Sequence, residues 1–188
     1  MSLLKKLWHF LWHDDSLWSW VVNLVLAFLI VKFLLYPGIG WMLDTDYPIV
    51  AVVSGSMEHD ETFAAWWGNN KEFYAAYNIT QEQFQAFSFS QGFNKGDIIV
   101  LHGEEPKAIK VGEVIVYQNS ISSYPIIHRV IALEETPQRQ FITKGDHNTI
   151  VDPQPVTEEQ IAQTGVAVFR IPYLGWIKLL FIAMIGGP

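Results

Sequence analysis

Apolar and polar positions change their rhythm along the chain, and each rhythm predicts a different kind of element. Residues 17–36 read LWSWVVNLVLAFLIVKFLLY, an apolar run interrupted by Asn23 and Lys32. About 20 residues at about 1.5 Å each match a hydrocarbon core of about 30 Å, so the run predicts a membrane-spanning helix. Asp15 or Ser16 is placed to cap its start, and Pro37-Gly38 to break it. Lys32 lies about one turn from the end, where it can snorkel to the headgroups. A cleaved signal peptide is the competing reading, but its apolar part is shorter, about 7–15 residues. Upstream, Leu3, Leu4, Leu7, Trp8 and Leu11 recur at helical spacing, with Lys5, Lys6 and His9 on other faces. That pattern predicts a short helix lying in the membrane interface.

Beyond residue 44 the period shortens. Residues 47–53, 97–102, 111–117, 126–133, 140–144 and 166–171 are β-branched runs bounded by Gly, Pro and Asn. They predict strands of an antiparallel β-domain, and no long helical pattern lies between them to build a βαβ sheet. Residues 58–93 differ, with Phe63, Trp66, Trp67, Phe73, Tyr74, Tyr77, Phe84, Phe87, Phe89 and Phe93 among acidic and amide residues. Thr80-Gln81-Glu82-Gln83 forms a possible capping box, so this stretch predicts a helical insertion. Its aromatics either make a satellite core or touch lipid or substrate; a lid or a bilayer-dipping element is the sharper expectation. Asn78-Ile79-Thr80 is also a glycosylation sequon, a pattern that chance often produces. Residues 173–188, YLGWIKLLFIAMIGGP, hold an apolar stretch of roughly 20 Å as a helix, short for a span. They predict a membrane-associated segment, with an ordinary core helix as the alternative.

Composition narrows the picture. Hydrophobic residues make up 50% and charged ones 16%, and eight Trp and seven Tyr suit a protein that meets a bilayer interface. The chain has no cysteine, which excludes disulfides, thiol catalysis and thiolate metal sites. A net charge of −7 argues against a nucleic-acid partner. Lys5 and Lys6 ahead of the span predict a cytoplasmic N-terminus, and the acidic body after it an extracytoplasmic one.

Candidate chemistry centres on Val53-Ser54-Gly55-Ser56-Met57, where a strand ends in two serines flanking a residue that permits sharp backbone turns. A serine hydroxyl is a weak nucleophile and needs a base within hydrogen-bond reach. Six histidines are available. His9 and His13 precede the span, His59 and His102 neighbour acidic or loop residues, His128 opens a strand-like run, and His147 lies in a polar turn. Taken singly, each is better explained by structure than by catalysis. No HExxH-like spacing supports a metal site on His59, Asp60, His102 and His147, and no cofactor is expected.

The blocks SGSM, HRVIAL and KGDHNTIVD, in that order after an N-terminal anchor, resemble the type I signal peptidases. They are similar in particular to the archaeal form and to the catalytic subunit of the endoplasmic-reticulum complex. Residues 171–176, IPYLGW, resemble the family's closing motif. The resemblance implies a mainly β fold with an antiparallel catalytic sheet, an N-terminal transmembrane helix and a helical insertion. It implies Ser56 as nucleophile and His128 as general base, where the bacterial branch has a lysine. It implies Asp152 as the acid that orients His128, Asp146 as a supporting acid and Ser54 as an oxyanion-hole residue. Asp146 remains the alternative partner of His128. The chain departs from the pattern at Glu58-His59-Asp60, which replaces the family's Pro-Thr pair, and by the insertion that separates Gly96-Asp97 from SGSM.

The expected organisation is an interfacial segment (1–16), an anchor (17–43), an extracytoplasmic catalytic domain (44–172, with the insertion at 58–93) and a membrane-associated end (173–188). The expected activity is cleavage of signal peptides from secretory preproteins after small residues, as at A-x-A sites, on the extracytoplasmic side of the cell membrane, with the endoplasmic-reticulum membrane as the alternative. Roughly 14 residues join the span to Ser56, which keeps the hydroxyl within about 48 Å of the span's end. The bilayer and the preproteins are the expected partners, with additional subunits left open. The reading from another class is a catalytically idle, membrane-anchored β-domain that binds exported chains or a partner subunit.

Overall fold

A computed structural model describes residues 2–119, 124–135, 138–161 and 164–184, in two units, Met1–Met42 and Leu43–Pro188. The last residues of the predicted C-terminal segment, 185–188, lie outside the described residues.

In the first unit, α1 (Leu3–His13) is followed by a continuous helical stretch, Leu17–Met42, long and apolar enough to cross a membrane. It comprises α2 (Leu17–Ile30), a π-helical turn (Val31–Leu35) and α3 (Tyr36–Met42). Of the two predicted caps, Ser16 does the work, its side chain accepting from the Ser19 N–H at 3.3 Å. Asn23, the polar interruption in the span, donates to the Leu11 carbonyl at 2.9 Å, and Ser19 Oγ to the Phe10 carbonyl at 2.6 Å. Both satisfy carbonyls at the end of α1 that have no partner within their own helix. Pro37-Gly38 does not break the helix, contrary to the sequence expectation. Just upstream, the Tyr36 N–H bonds the Val31 carbonyl in the wider π register. A π-bulge of this kind accommodates a residue that lacks a donor and would clash with the carbonyl four residues back.

The second unit is built on a seven-stranded antiparallel sheet in the order β1-β2-β7-β3-β4-β5-β6. The strands are β1 (Ile49–Ala51), β2 (Ile98–His102), β3 (Val114–Tyr117), β4 (Ile126–Glu135), β5 (Arg139–Lys144), β6 (Val156–Thr157) and β7 (Gly165–Ile171). Every predicted run forms a strand; β6, two residues long, was not foreseen. Alternation along β3 distributes VIVY between two cores. Val114 and Val116 pack with Val52, Met57, Phe93, Ile99 and Leu101. Ile115 and Tyr117 pack on the opposite side with Ile109, Val130, Phe141 and Val156. β1 and β4 are separated in the sheet by β2, β7 and β3, yet residues 51–53 and 126–128 line one cavity, so the sheet curls.

The insertion forms α4 (Phe63–Ala76) and α5 (Gln81–Ala86). The capping box at Thr80 and Gln83 is formed, with Thr80 Oγ accepting from the Gln83 N–H and the Gln83 side chain from the Thr80 N–H. Asn78 ends α4 with φ 58°, a conformation that asparagine tolerates better than most residues. Trp66, Trp67, Tyr74, Ile79 and Phe84 are buried with Ile131 of β4, and Phe63, Phe73, Tyr77 and Phe87 pack around them. No aromatic residue of the insertion is exposed. The satellite core of the sequence reading is therefore formed: the rings bury one another.

α6 (Glu158–Ile161) is a single turn, and α7 (Trp176–Met184) ends the described chain. No residue of α7 is buried, so it is not the core helix held as an alternative.

Candidate active site

Ser56 is presented by a tight turn whose far side is anchored in the core. The Glu58 N–H donates to the Gly55 carbonyl at 3.0 Å, closing the turn. Met57 is buried in the sheet core, and its carbonyl accepts from the Phe93 N–H at 3.0 Å. With Met57 held inward, Ser54 and Ser56 face outward, their hydroxyls 3.3 Å apart. Both line a cavity of about 290 Å³ together with His128, Asn148, Val52 and Ile127.

His128 and Arg129 are neighbours on β4, so they point to opposite faces of the sheet. That alternation divides the two acids between them. His128 Nδ1 is 2.7 Å from Asp152 Oδ2, with the two side chains 8% and 13% exposed. The same oxygen accepts from Tyr117 Oη at 2.9 Å and from Thr143 Oγ at 2.5 Å. Burial by itself would raise the Asp152 carboxyl; the hydrogen bonds of His128, Thr143 and Tyr117 outweigh it and hold the group below the usual carboxylate range. Asp152 is therefore ionised at neutral pH and fixes the imidazole by its Nδ1 edge. Burial, followed by the nearby Asp152 charge, pushes the Tyr117 phenol up, so it stays a donor.

The opposite edge of the ring, Nε2, lies against Gly145. A Cβ at that position would stand 2.6 Å from the Ser56 carbonyl oxygen and 2.9 Å from His128 Nε2. Only glycine lets the serine turn and the histidine converge there. The turn that follows holds the other side of Ser56: the His147 N–H donates to the Ser56 carbonyl at 2.9 Å.

Asp146 makes no hydrogen bond with His128. It is fully buried on the insertion side, where Arg129 grips it with Nε at 2.9 Å and an outer nitrogen at 2.7 Å. His59 Nε2 lies 3.1 Å from the same carboxylate. The remaining Arg129 donors go to the carbonyls of Ser88, Phe89 and Gly112 at 2.8–2.9 Å. Burial alone would raise Asp146; the Arg129 charge and the hydrogen bonds of His59 and Arg129 bring it down to about 2. The stability this contributes is fully present above the ordinary carboxylate range and is lost as pH falls through about 2.

Lys144, the nearest lysine to the site by motif, faces the insertion as well. Its ammonium donates to the Gly145 and Asp146 carbonyls at 3.1 and 3.3 Å and lies 4.9 Å from the centre of the Phe73 ring. Burial lowers it to about 8 against the opposing pull of Asp146.

Of the predicted residues, the structure thus brings together Ser54, Ser56, His128 and Asp152 and sets Asp146 behind them. Tyr117, Thr143, Arg129 and His59 were missed as partners. Arg129 and Thr143 carried a signal, since polar side chains in otherwise apolar strands have to be satisfied inside. His59 carried none beyond its place in the departure from the family pattern. The described residues contain no group of His, Asp and Glu able to hold a metal ion.

No protein-family model matches the chain. It is 26% identical over 155 residues to the signal peptidase complex catalytic subunit SEC11 of Scheffersomyces stipitis, covering 79% of this chain and 74% of that protein. The protein of the same name from Yarrowia lipolytica is 24% identical over 156 residues, 79% and 72% of the two chains. That from Plasmodium falciparum is 33% identical over 99 residues, 49% and 53%.

Proposed function

We propose that this chain, whose homologues are the SEC11 catalytic subunits of signal peptidase complexes, is a membrane-anchored serine endopeptidase that removes N-terminal signal peptides from exported preproteins. The observation that carries the reading is the convergence of Ser56 and His128 on Gly145 while Asp152 holds the far edge of the ring.

The steps follow from that arrangement. Ser56 Oγ attacks the scissile carbonyl as His128 takes its proton at Nε2 and then returns it to the leaving amine. Asp152, ionised and held by Tyr117 and Thr143, keeps the proton of the neutral ring on Nδ1 and stabilises the imidazolium that forms. The Ser56 N–H and the Ser54 hydroxyl are the oxyanion donors of this reading, and a donor of that kind is worth about 10²–10³ in rate. The cavity walls at Val52 and Ile127 suit an extended chain with small residues before the cut.

Leu17–Met42 is the membrane anchor of this reading, with the second unit on the extracytoplasmic or lumenal side. In this reading the roughly 14 residues between the span and Ser56 allow the hydroxyl no more than about 48 Å from the span's end, within reach of a signal peptide that leaves its apolar segment. Confining enzyme and substrate to one membrane raises their effective concentration. The relatives are named as subunits of a complex, so further subunits are part of the proposal.

The test uses detergent-solubilised full-length protein and a preprotein with an A-x-A site. Mass spectrometry of the products is expected to show one cut after the second small residue. Products cut at scattered sites, or an intact preprotein, would contradict the reading.

A further inference from the structure

The insertion reaches into the active-site frame through the residues that replace the usual link after the serine turn. His59 is two residues from Met57, and its side chain is 2% exposed. Its ring stacks on Trp66 of α4, centroids 3.8 Å apart and planes at 10°. On another side is Gly92, where a Cβ would stand 2.8 Å from His59 Cδ2. Gly92 has φ +66° and so needs to be glycine on both counts. A ring packed in this way has little freedom, and its Nε2 is aimed at Asp146 Oδ2.

His59 Nδ1 is buried and has no hydrogen-bond partner among the described residues. The tautomer protonated at Nε2 donates to the carboxylate and leaves only a lone pair unmatched. The other tautomer would bury an unpaired N–H, which costs more. Next door, Asp60 adds a second link to the same turn, its carboxylate 3.3 Å from His147 Nδ1.

Asp146 and His147 belong to the turn that frames the reaction. Gly145 precedes them, with no room for a Cβ between it and the Ser56 carbonyl or the His128 ring, and the His147 N–H holds the Ser56 carbonyl. A shift of Asp146 is therefore passed to both reacting groups. Arg129 fixes the carboxylate from the sheet side, and His59 fixes it from the insertion side.

We propose that His59 is a positioning residue: the insertion, through the Trp66-stacked His59, sets the 145–148 turn and with it the distance between Ser56 and His128. The inference rests on reading Ser56 as the nucleophile. It makes the insertion part of the catalytic frame, and not an appendage for lipid or partner.

The test compares His59→Ala and His59→Gln in the full-length protein, with kcat and KM measured separately on the same preprotein. A glutamine amide can place a donor near the position of Nε2; alanine cannot. His59→Ala is expected to lower kcat about 30-fold, in line with the about 100-fold that a misplacement near 1 Å can cost, and to change KM by less than about twofold. His59→Gln is expected to recover kcat to within about threefold of the wild type. Wild-type kcat in His59→Ala, or a fall in His59→Gln as deep as that in His59→Ala, would overturn the inference. If His59→Ala does not fold, His59→Gln decides alone: kcat within about threefold supports the inference, and a loss of about tenfold or more overturns it. Ser56→Ala in the same assay keeps the two claims apart. Cleavage that survives it removes the reading of the nucleophile, whereas an inert His59 with a dead Ser56→Ala removes only the positioning role.

Discussion

Ser56→Ala is expected to abolish preprotein cleavage, by about 10⁶-fold in kcat, while leaving the protein folded. The size follows from the way the site is built. Nucleophile, base and orienting acid act as a unit, so loss of the serine removes nearly all that the three supply. What remains comes from binding and from any oxyanion donors, about 10³–10⁴ over water. Folding should survive because the turn is held by groups the substitution keeps. The Ser56 carbonyl still accepts from the His147 N–H, Met57 remains buried and the Gly55–Glu58 turn is closed by backbone. Among the described residues the hydroxyl hydrogen-bonds only Ser54 Oγ, in an exposed setting. Measured kcat on a preprotein, with thermal unfolding as the control, checks both halves. A residual rate within about 100-fold of the wild type would mean that another group attacks.

Arg129→Leu carries the largest expected effect on stability. Arg129 is fully buried, and its guanidinium donates to both oxygens of Asp146 and to three backbone carbonyls. Its removal leaves a buried carboxylate without its cation and those carbonyls without donors. Breaking a buried pair in this way costs about 3–5 kcal/mol, against a total stability for a domain of about 5–15 kcal/mol. Urea unfolding of the full-length protein, followed by tryptophan fluorescence, should show a much lower midpoint or no cooperative transition. The penalty should shrink as pH is lowered toward about 4, because protonation of Asp146 removes the orphaned charge. A cost below about 1 kcal/mol would show that the network is solvated and not the closed one described here.

These two residues also show what the sequence made legible. The strands could be read because β-branched runs between turn residues leave few other structures open. The Thr80–Gln83 cap could be read because it is local. Ser56, His128 and Asp152 came from resemblance, since nothing in spacing alone joins residues so far apart in the chain. The choice between Asp146 and Asp152 needed the strand: one-residue alternation on β4 sends His128 and Arg129 to different faces, and each takes one acid. Pro37 misled because a π-bulge depends on hydrogen-bond register, which composition does not encode. The insertion's aromatics were ambiguous for a related reason. An aromatic stripe looks the same in sequence whether it meets lipid or itself, and only the closing of α4 and α5 over Ile131 decides. His59 was the least visible, because its role exists only where the insertion folds back onto the 145–148 turn.

Catalysis by a histidine base has a direct measurement, the dependence of kcat/KM on pH. A histidine must be neutral to accept the serine proton, so the rate should be low in acid and should not wait for Lys144 to lose its proton at about 8. Lys144, which burial brings down to about 8, is the other base near the motif, but its ammonium is committed to the Gly145 and Asp146 carbonyls on the insertion side. A profile that is already level before pH 8, kept in Lys144→Met and lost in His128→Ala, is the predicted result; an onset only near pH 8, lost in Lys144→Met and kept in His128→Ala, would contradict it.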